Sequence, residues 1–338
     1  MIALKYTQLR ESGDFATFRN NATFLSTIDS LPDTSAPWNL TEITVEGNLV
    51  GADGKPMTET LELWMRDPVQ CVADLIGNPA FRDVIAYAPV QETEVEEDGN
   101  GEDINEEADR FFDEMWSADW WWGAQAALPE NATVAPIILA SDKTQLSTFS
   151  GDKQAWPVYL SIGNINKATC RRPSERATVL LGYLPVSKLL CFHPKDRSNQ
   201  GHRLFHYAMR QLLAPLISAG KTGAMMTCAD GFVRHVFPLL AAYIADHPEQ
   251  CLVTCCRENR CPKCRVAPGD RGNLVASLHR VQVSALDGIR MCDTNPDPYE
   301  ADGLRDVPEP FWADLPLVDI FRCITPDMLH QLHKGTLY

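Results

Sequence analysis

The run Ala135-Pro136-Ile137-Ile138-Leu139-Ala140-Ser141-Asp142 is apolar, of strand length and closed by a carboxylate. Two more runs follow it before Val186: Trp156-Pro157-Val158-Tyr159-Leu160-Ser161-Ile162 and Ala177-Thr178-Val179-Leu180-Leu181-Gly182-Tyr183-Leu184. All three are rich in β-branched or aromatic residues. Turn chemistry separates them, Ser150-Gly151-Asp152 after the first and Arg172-Pro173-Ser174 after the second. The spacing predicts a three-stranded meander with Asp142 at the C-terminal end of its first strand. An acid in that place can hold a metal at the rim of a sheet, or it can cap the following turn.

A chain of 338 residues with 45% apolar and 22% charged residues is globular and long enough for two domains. It has no apolar run long enough to span a membrane, and Met1-Ile2-Ala3-Leu4-Lys5-Tyr6 lacks the apolar core of a signal peptide. An intracellular place is therefore expected, where the eleven cysteines read as reduced thiols or metal ligands. The net charge of −15 argues against a nucleic-acid partner, but it is unevenly spread. Gln91 to Glu114 carries a local net of −11, leaving −4 elsewhere. Basic residues cluster at Lys167, Arg171, Arg172, Arg176 and Lys188, and again at Arg257, Arg260, Lys263, Arg265 and Arg271. These shifts divide the chain into an α+β region over 1–90, an acidic linker over 91–115 and a core over 116–338.

Residues 1–35 are weakly patterned, and a short helix is expected there. Thr41–Glu46 and Thr58–Trp64 alternate like the strands of a hairpin around Gly51-Ala52-Asp53-Gly54. Asp67-Pro68 is a helix start, and Val69, Val72, Ala73 and Ile76 recur at helical spacing until Gly77. Asn78-Pro79 starts a further short turn. The acidic segment reads as a solvated linker, with screening of a basic surface as the alternative. Trp116, Trp120, Trp121 and Trp122 read as a segment docked on a core, with base stacking as the sharper alternative.

His202 to Ala219 has the periodicity of a helix packed on the sheet, with Pro215 inside it and Gly220 after it. Val236 to Asp246 is a second apolar run ending on an acid. Its alanines leave the period ambiguous, and Pro248 close behind favours a strand, which would set Asp246 beside Asp142. Cys251, Cys255, Cys256 and the pair Cys261-Pro262-Lys263-Cys264 follow. Two thiolates at Cys-x-x-Cys spacing can grip one Zn²⁺, and His330 and His333 offer an i, i+3 histidine pair. A redox pair or buried thiols are the other readings. Pro296 to Pro316, rich in Pro and Asp, reads as an exposed loop, and Thr325-Pro326-Asp327 as the start of a final helix.

Two acids that each end an apolar run, separated by a meander and a helix, resemble the ribonuclease H-like nucleotidyl transferases, whose acids hold divalent ions against a phosphodiester. Several strings narrow the resemblance. Trp116-Ser117-Ala118-Asp119-Trp120-Trp121, Ile138-Leu139-Ala140-Ser141-Asp142-Lys143-Thr144, Pro157-Val158-Tyr159-Leu160-Ser161-Ile162-Gly163-Asn164, Gly182-Tyr183-Leu184-Pro185 and Pro326-Asp327-Met328-Leu329-His330-Gln331-Leu332-His333-Lys334-Gly335 look like the Plavaka transposases of fungal DNA transposons, relatives of the CACTA group. The resemblance runs from about Asp67 to the end of the chain.

It implies an α/β fold, namely an incomplete RNase H-like mixed sheet with flanking helices, a zinc-knuckle insertion and a small α+β N-terminal region. It also implies a cut-and-paste transposase with an Asp-Asp-Glu triad and Mg²⁺ or Mn²⁺ at its acids. Asp142 matches the first acid, and Asp246 the second, with Asp230 as a fallback. Asp327 and His330 match an Asp-x-x-His signature. The chain stops at Tyr338, where the family would continue toward its Glu, so the resemblance implies little strand transfer by this polypeptide alone. The related V(D)J recombinase has a Cys-x-x-Cys after its second Asp, which points to Cys261, Cys264, His330 and His333 around one Zn²⁺. DNA is the implied partner, bound at Lys167, Arg171, Arg172 and Arg176, in the nucleus, with a homo-oligomer allowed. The alternative is a non-catalytic protein of transposase descent that only binds DNA or a partner.

Overall fold

The alternating segments near the N-terminus form a hairpin of β1 (Asn39–Val50) and β2 (Pro56–Met65). Asp67 then caps α1 (Pro68–Ile76), accepting from the Val69 and Gln70 N–H groups, and Pro68 enters where no intrahelical donor is needed. Its buried side is Cys71, Val72, Leu75 and Ile76. Asn78 caps a single 3₁₀ turn, Pro79–Phe81.

The three runs of the meander are β3 (Thr133–Ser141), β4 (Pro157–Ile162) and β5 (Thr178–Tyr183), each antiparallel to the next as the sequence predicts. β6 (Ala224–Thr227) and β7 (Val233–Ala245) follow, and β8 (Ile324–Pro326) closes the sheet. β7 lies parallel to β3 over Val236–Ile244, which settles the ambiguous run as a strand. Across the sheet the order is β1-β2-β5-β4-β3-β7-β6, with β8 parallel to the last three residues of β7. These are the features of the computed structural model, which describes Ser26 and residues 35–93, 110–146, 154–274 and 276–327. Residues Met1–Ala36 and Pro37–Tyr338 are two compact units, and every sheet strand belongs to the second.

Helices α2 (Asp119–Ala126), α3 (Lys167–Cys170), α4 (Arg197–Thr222), α5 (His247–Val253), α6 (Gln282–Arg290), α7 (Pro296–Asp302) and α8 (Ile320–Cys323) complete the described fold. The long α4 buries the stripe Phe205, Met209, Leu212, Leu216 and Ala219, spaced by three and four residues, against the sheet. Gly182 permits this contact. A Cβ there would come within 2.8 Å of the Trp64 carbonyl oxygen and 3.2 Å of the Leu212 side chain. The sheet consequently has a covered face, on which Val158, Leu160 and Ile162 are fully buried, and a more open one carrying Tyr159. Around Trp121, buried with Val134 and Leu239, pack the partly buried Trp116 and Trp120, so the segment docks on the core through Trp121 while Trp122 is exposed.

Two expectations fail. Pro296 to Pro316 is not an exposed loop: it contains α7, and Leu304, Val307, Phe311 and Trp312 are buried. Phe311 packs against Phe205, His206 and Tyr243, and the Trp312 indole donates to the Val253 carbonyl at 2.7 Å. Burial of two large aromatic rings outweighs the loop composition around them. Thr325 and Pro326 do not start a helix; they belong to β8, held by pairing with Ile244 and Ala245. The short helix expected in 1–35, residues 94–109 of the acidic segment, and His330 and His333 lie outside the described residues. The flanks of that acidic segment, Glu92–Thr93 and Arg110–Phe111, pair as a two-residue ribbon.

Candidate acid site and cysteine cavity

The parallel register pairs Ala140 of β3 with Ile244 of β7. Asp142 and Asp246 each come two residues later, so the two acids leave the same end of neighbouring strands. Asp142 is exposed. Asp246 caps α5, its carboxylate accepting from the Glu249 N–H at 2.9 Å, with Pro248 in the first turn. On the far side of β7 the Asp327 N–H donates to the Ala245 carbonyl at 3.0 Å, which fixes a third strand-end acid next to Asp246.

A fourth carboxylate lies behind them. Glu249 is 7% exposed and accepts from the Ser141 hydroxyl and, at 3.1 Å, from the Trp156 indole N–H. Ser141 is also 2.6 Å from the Tyr243 hydroxyl. One buried carboxyl thus ties together the end of β3, the entry to β4, the end of β7 and the start of α5. Burial pushes the Glu249 carboxyl up to about 7; the hydrogen bonds from Ser141 and Trp156 oppose this and the charges of Asp246 and Asp142 add to it. Sequence reasoning missed Glu249. The only signal was the string Asp246-His247-Pro248-Glu249, a cap followed by an acid at the third helical position.

Acids leaving one strand end offer the hard oxygen donors that divalent cations take. Among the described residues, however, no three His, Cys, Asp or Glu side chains are gathered closely enough to hold a metal ion. Asp230, the fallback, sits at the opposite end of β7, paired with Arg234 at 2.7 Å, and that guanidinium lies 3.8 Å from the centre of the Tyr87 ring. Its pairing with Arg234 holds its carboxyl below the usual range.

The predicted basic patch is not beside the acids. Lys167, on α3, pairs with Asp113, and Arg171, Arg172 and Arg176 occupy the connection from β4 to β5. Because β4 runs antiparallel to β3, that connection leaves the sheet at the end away from Asp142. Arg171 and Arg172 are exposed there. In the second basic cluster, Arg257 pairs with Glu300 and Arg265 with Asp302.

Cys261 and Cys264 line a cavity of about 530 Å³ with His247, Lys263, Arg271 and Pro326. Burial raises the Cys264 thiol, but hydrogen bonds from Val266 and Cys261 outweigh it and leave the thiol below its ordinary value. His247, from the first turn of α5, is a second residue that sequence reasoning missed; its Nε2 is 3.7 Å from the buried Cys251 sulfur. Cys255, by contrast, is wholly buried, 3.3 Å from His206 Nε2. All eleven cysteines are free thiols.

No helix among the described residues is long and apolar enough to cross a membrane. Compared with known proteins, the chain matches the family model described as Plavaka transposase over residues 18–338. No curated protein matches it.

Proposed function

From the premise that this chain belongs to the Plavaka transposase family, we propose that it works on DNA through a cation-dependent acid site made by Asp142 and Asp246. The observation that carries the reading is the register of β3 and β7, which brings both acids to one end of adjacent parallel strands. The strand order supports an RNase H-like core. Three antiparallel strands lead through α4 and the short β6, antiparallel to β7, to β7 itself, parallel to the first strand of the meander, and then to β8, parallel to β7. A divalent cation bound there would polarise a phosphodiester oxygen and favour attack by water or a 3′-hydroxyl. The protein's part is to hold the cation with Asp142 and Asp246 and to keep those acids in register through Glu249. Glu249 is itself engaged by Ser141 and Trp156, so its role is to support the two acids.

The test is nicking of DNA by the full chain in Mg²⁺ or Mn²⁺, with binding read in parallel. Metal-dependent nicking lost in Asp142→Asn and Asp246→Asn supports the catalytic form of the proposal. Salt-sensitive binding without nicking supports the non-catalytic alternative. Equal nicking in both variants sinks the assignment of these acids, and absence of DNA binding sinks both forms. Work on DNA would place the protein in the nucleus, and a homo-oligomer is compatible with it.

A second element of the proposal is a structural Zn²⁺ held by Cys261, Cys264, His330 and His333. The proximity of the two thiols supports it, as does Pro326, a few residues before His330, lining the same cavity. Stoichiometric zinc in the purified protein, lost in Cys264→Ser, is the expected result. Zinc retained at full stoichiometry in that variant would exclude the quartet.

A further inference from the structure

The open face of the sheet carries aromatic side chains that neither the core nor the acid site uses. Trp64 of β2 pairs with Tyr183 of β5, and Tyr183 pairs with Pro157 of β4. Directly paired residues point to the same face, so the two rings are cross-strand neighbours. Each is about two-fifths exposed, Trp64 40% and Tyr183 39%, and so is Tyr159 at 40% one strand further in. Scattered apolar side chains on a surface need no explanation. Trp64 and Tyr183, directly paired, with Tyr159 on the next strand beyond a register shift, do.

The register also says where they lie. Ser141 pairs with Val158, so Asp142 emerges next to Pro157, the residue that pairs with Tyr183. At about 4.8 Å per strand, Tyr183 and Trp64 are about 10 and 14 Å from the strand bearing Asp142. Beside the two rings is a groove of about 270 Å³, lined by Glu62, Trp64, Gln154, Trp156 and Tyr183. Trp156, which also lines the groove, turns its ring to the covered face, stacked on Phe205 of α4 at 5.1 Å; there its indole donates to Glu249 and the Lys143 ammonium lies 5.4 Å from its centre. Tyr183 is backed by Trp38, stacked at 6.1 Å, and Trp38 carries the Arg66 guanidinium at 5.7 Å.

The charges decide what part of a nucleotide enters. Glu62 sits in the groove, its carboxylate accepting from the Trp64 indole at 2.9 Å, and repels a phosphate. A neutral, flat base meets no such penalty and finds the aromatic faces on which any base stacks. Lys143 directly follows Asp142, so a cation for the backbone of the same strand stands at the acid end.

We propose that the Trp64–Tyr183 row is a stacking platform for an unpaired nucleobase of the DNA strand whose backbone is held at the Asp142–Asp246 end. The inference rests on the DNA reading of that end. It assigns to the N-terminal hairpin a contact with substrate, and to the protein a preference for DNA with unpaired bases over continuous duplex.

The test uses the full chain and two fluorescein-labelled probes of equal length, a dT oligonucleotide and a duplex, with anisotropy read at two salt concentrations. Trp64→Ala and Tyr183→Ala should each weaken binding of the single strand by about five- to a hundredfold and leave the duplex within about twofold. Trp64→Phe, which keeps a stacking ring, should restore most of the loss, and an unchanged unfolding transition shows that the fold survives. Alanine variants that bind the single strand like wild type overturn the proposal while the acid site stands. Equal losses on both probes also overturn it. A wild-type chain that binds neither probe removes the DNA reading itself. Dissociation of a dimer in Trp64→Ala, with single-strand affinity unchanged, would make the row a self-association surface and overturn the platform.

Discussion

Replacing Glu249 should separate the role of a buried acceptor from that of a charge. In Glu249→Ala, Ser141 keeps the Tyr243 hydroxyl at 2.6 Å as a partner, so the donor left without an acceptor is the Trp156 indole. An orphaned buried donor costs about 1–3 kcal/mol, and Trp156 is only half-buried, which sets this contribution near 1. Removal of one buried methylene adds about 0.8 kcal/mol. The expected destabilisation is about 2 kcal/mol. Glu249→Gln keeps both volume and acceptor and should lose less than about 1 kcal/mol. Urea titrations at pH 6 are the assay, because burial pushes this carboxyl up to about 7 and glutamine is then its neutral counterpart. The midpoint should fall in the alanine variant with the slope unchanged. Equal losses in the two variants, or no loss in alanine, would refute the view that Glu249 holds the strand ends through its accepted hydrogen bonds.

Acid should weaken the fold through His206. It is fully buried, its Nε2 is 2.9 Å from the Leu252 carbonyl, and its Nδ1 faces the Phe311 N–H at 3.3 Å. Burial lowers its pKa from 6.5 to about 3, with nearby His202 adding in the same direction. The neutral ring's contribution is therefore complete above about pH 6.5 and is lost as pH falls toward 3. By pH 5 the loss should be about 2 kcal/mol, read from urea midpoints, and His206→Gln should flatten that dependence. Trp121→Ala should destabilise by about 3–5 kcal/mol, since the ring is wholly buried against Val134 and Leu239; a loss under about 1 kcal/mol in the same titration would place Trp121 outside the core.

The local elements could be read from the sequence because period, turn residues and caps agree there. Asp67 before Pro68, and the three runs from Ala135 to Leu184, each carry their own signal. The pairing of β7 with β3 was less accessible. The alanines of β7 fit helix and strand alike, so the period left the run ambiguous and only Pro248 behind it tipped the reading toward the strand that pairs with β3. Composition misled outright at Pro296 to Pro316, where Phe311 and Trp312 were outvoted by prolines and acids although they anchor the segment. Of the site, Asp142 and Asp246 were legible because each ends an apolar run. Glu249 was not, because its burial comes from Ser141 and Trp156, both about a hundred residues away in sequence and near only after folding.

That separation has a kinetic side. β3 carries Asp142, yet its partner β7 lies roughly a hundred residues later, so at about 5–20 residues per second a ribosome makes the second acid some seconds after the first. The meander can close locally in that interval, but the parallel pairing cannot. The acid pair thus forms after the meander, and a nascent chain presents the aromatic strands before it presents the paired acids.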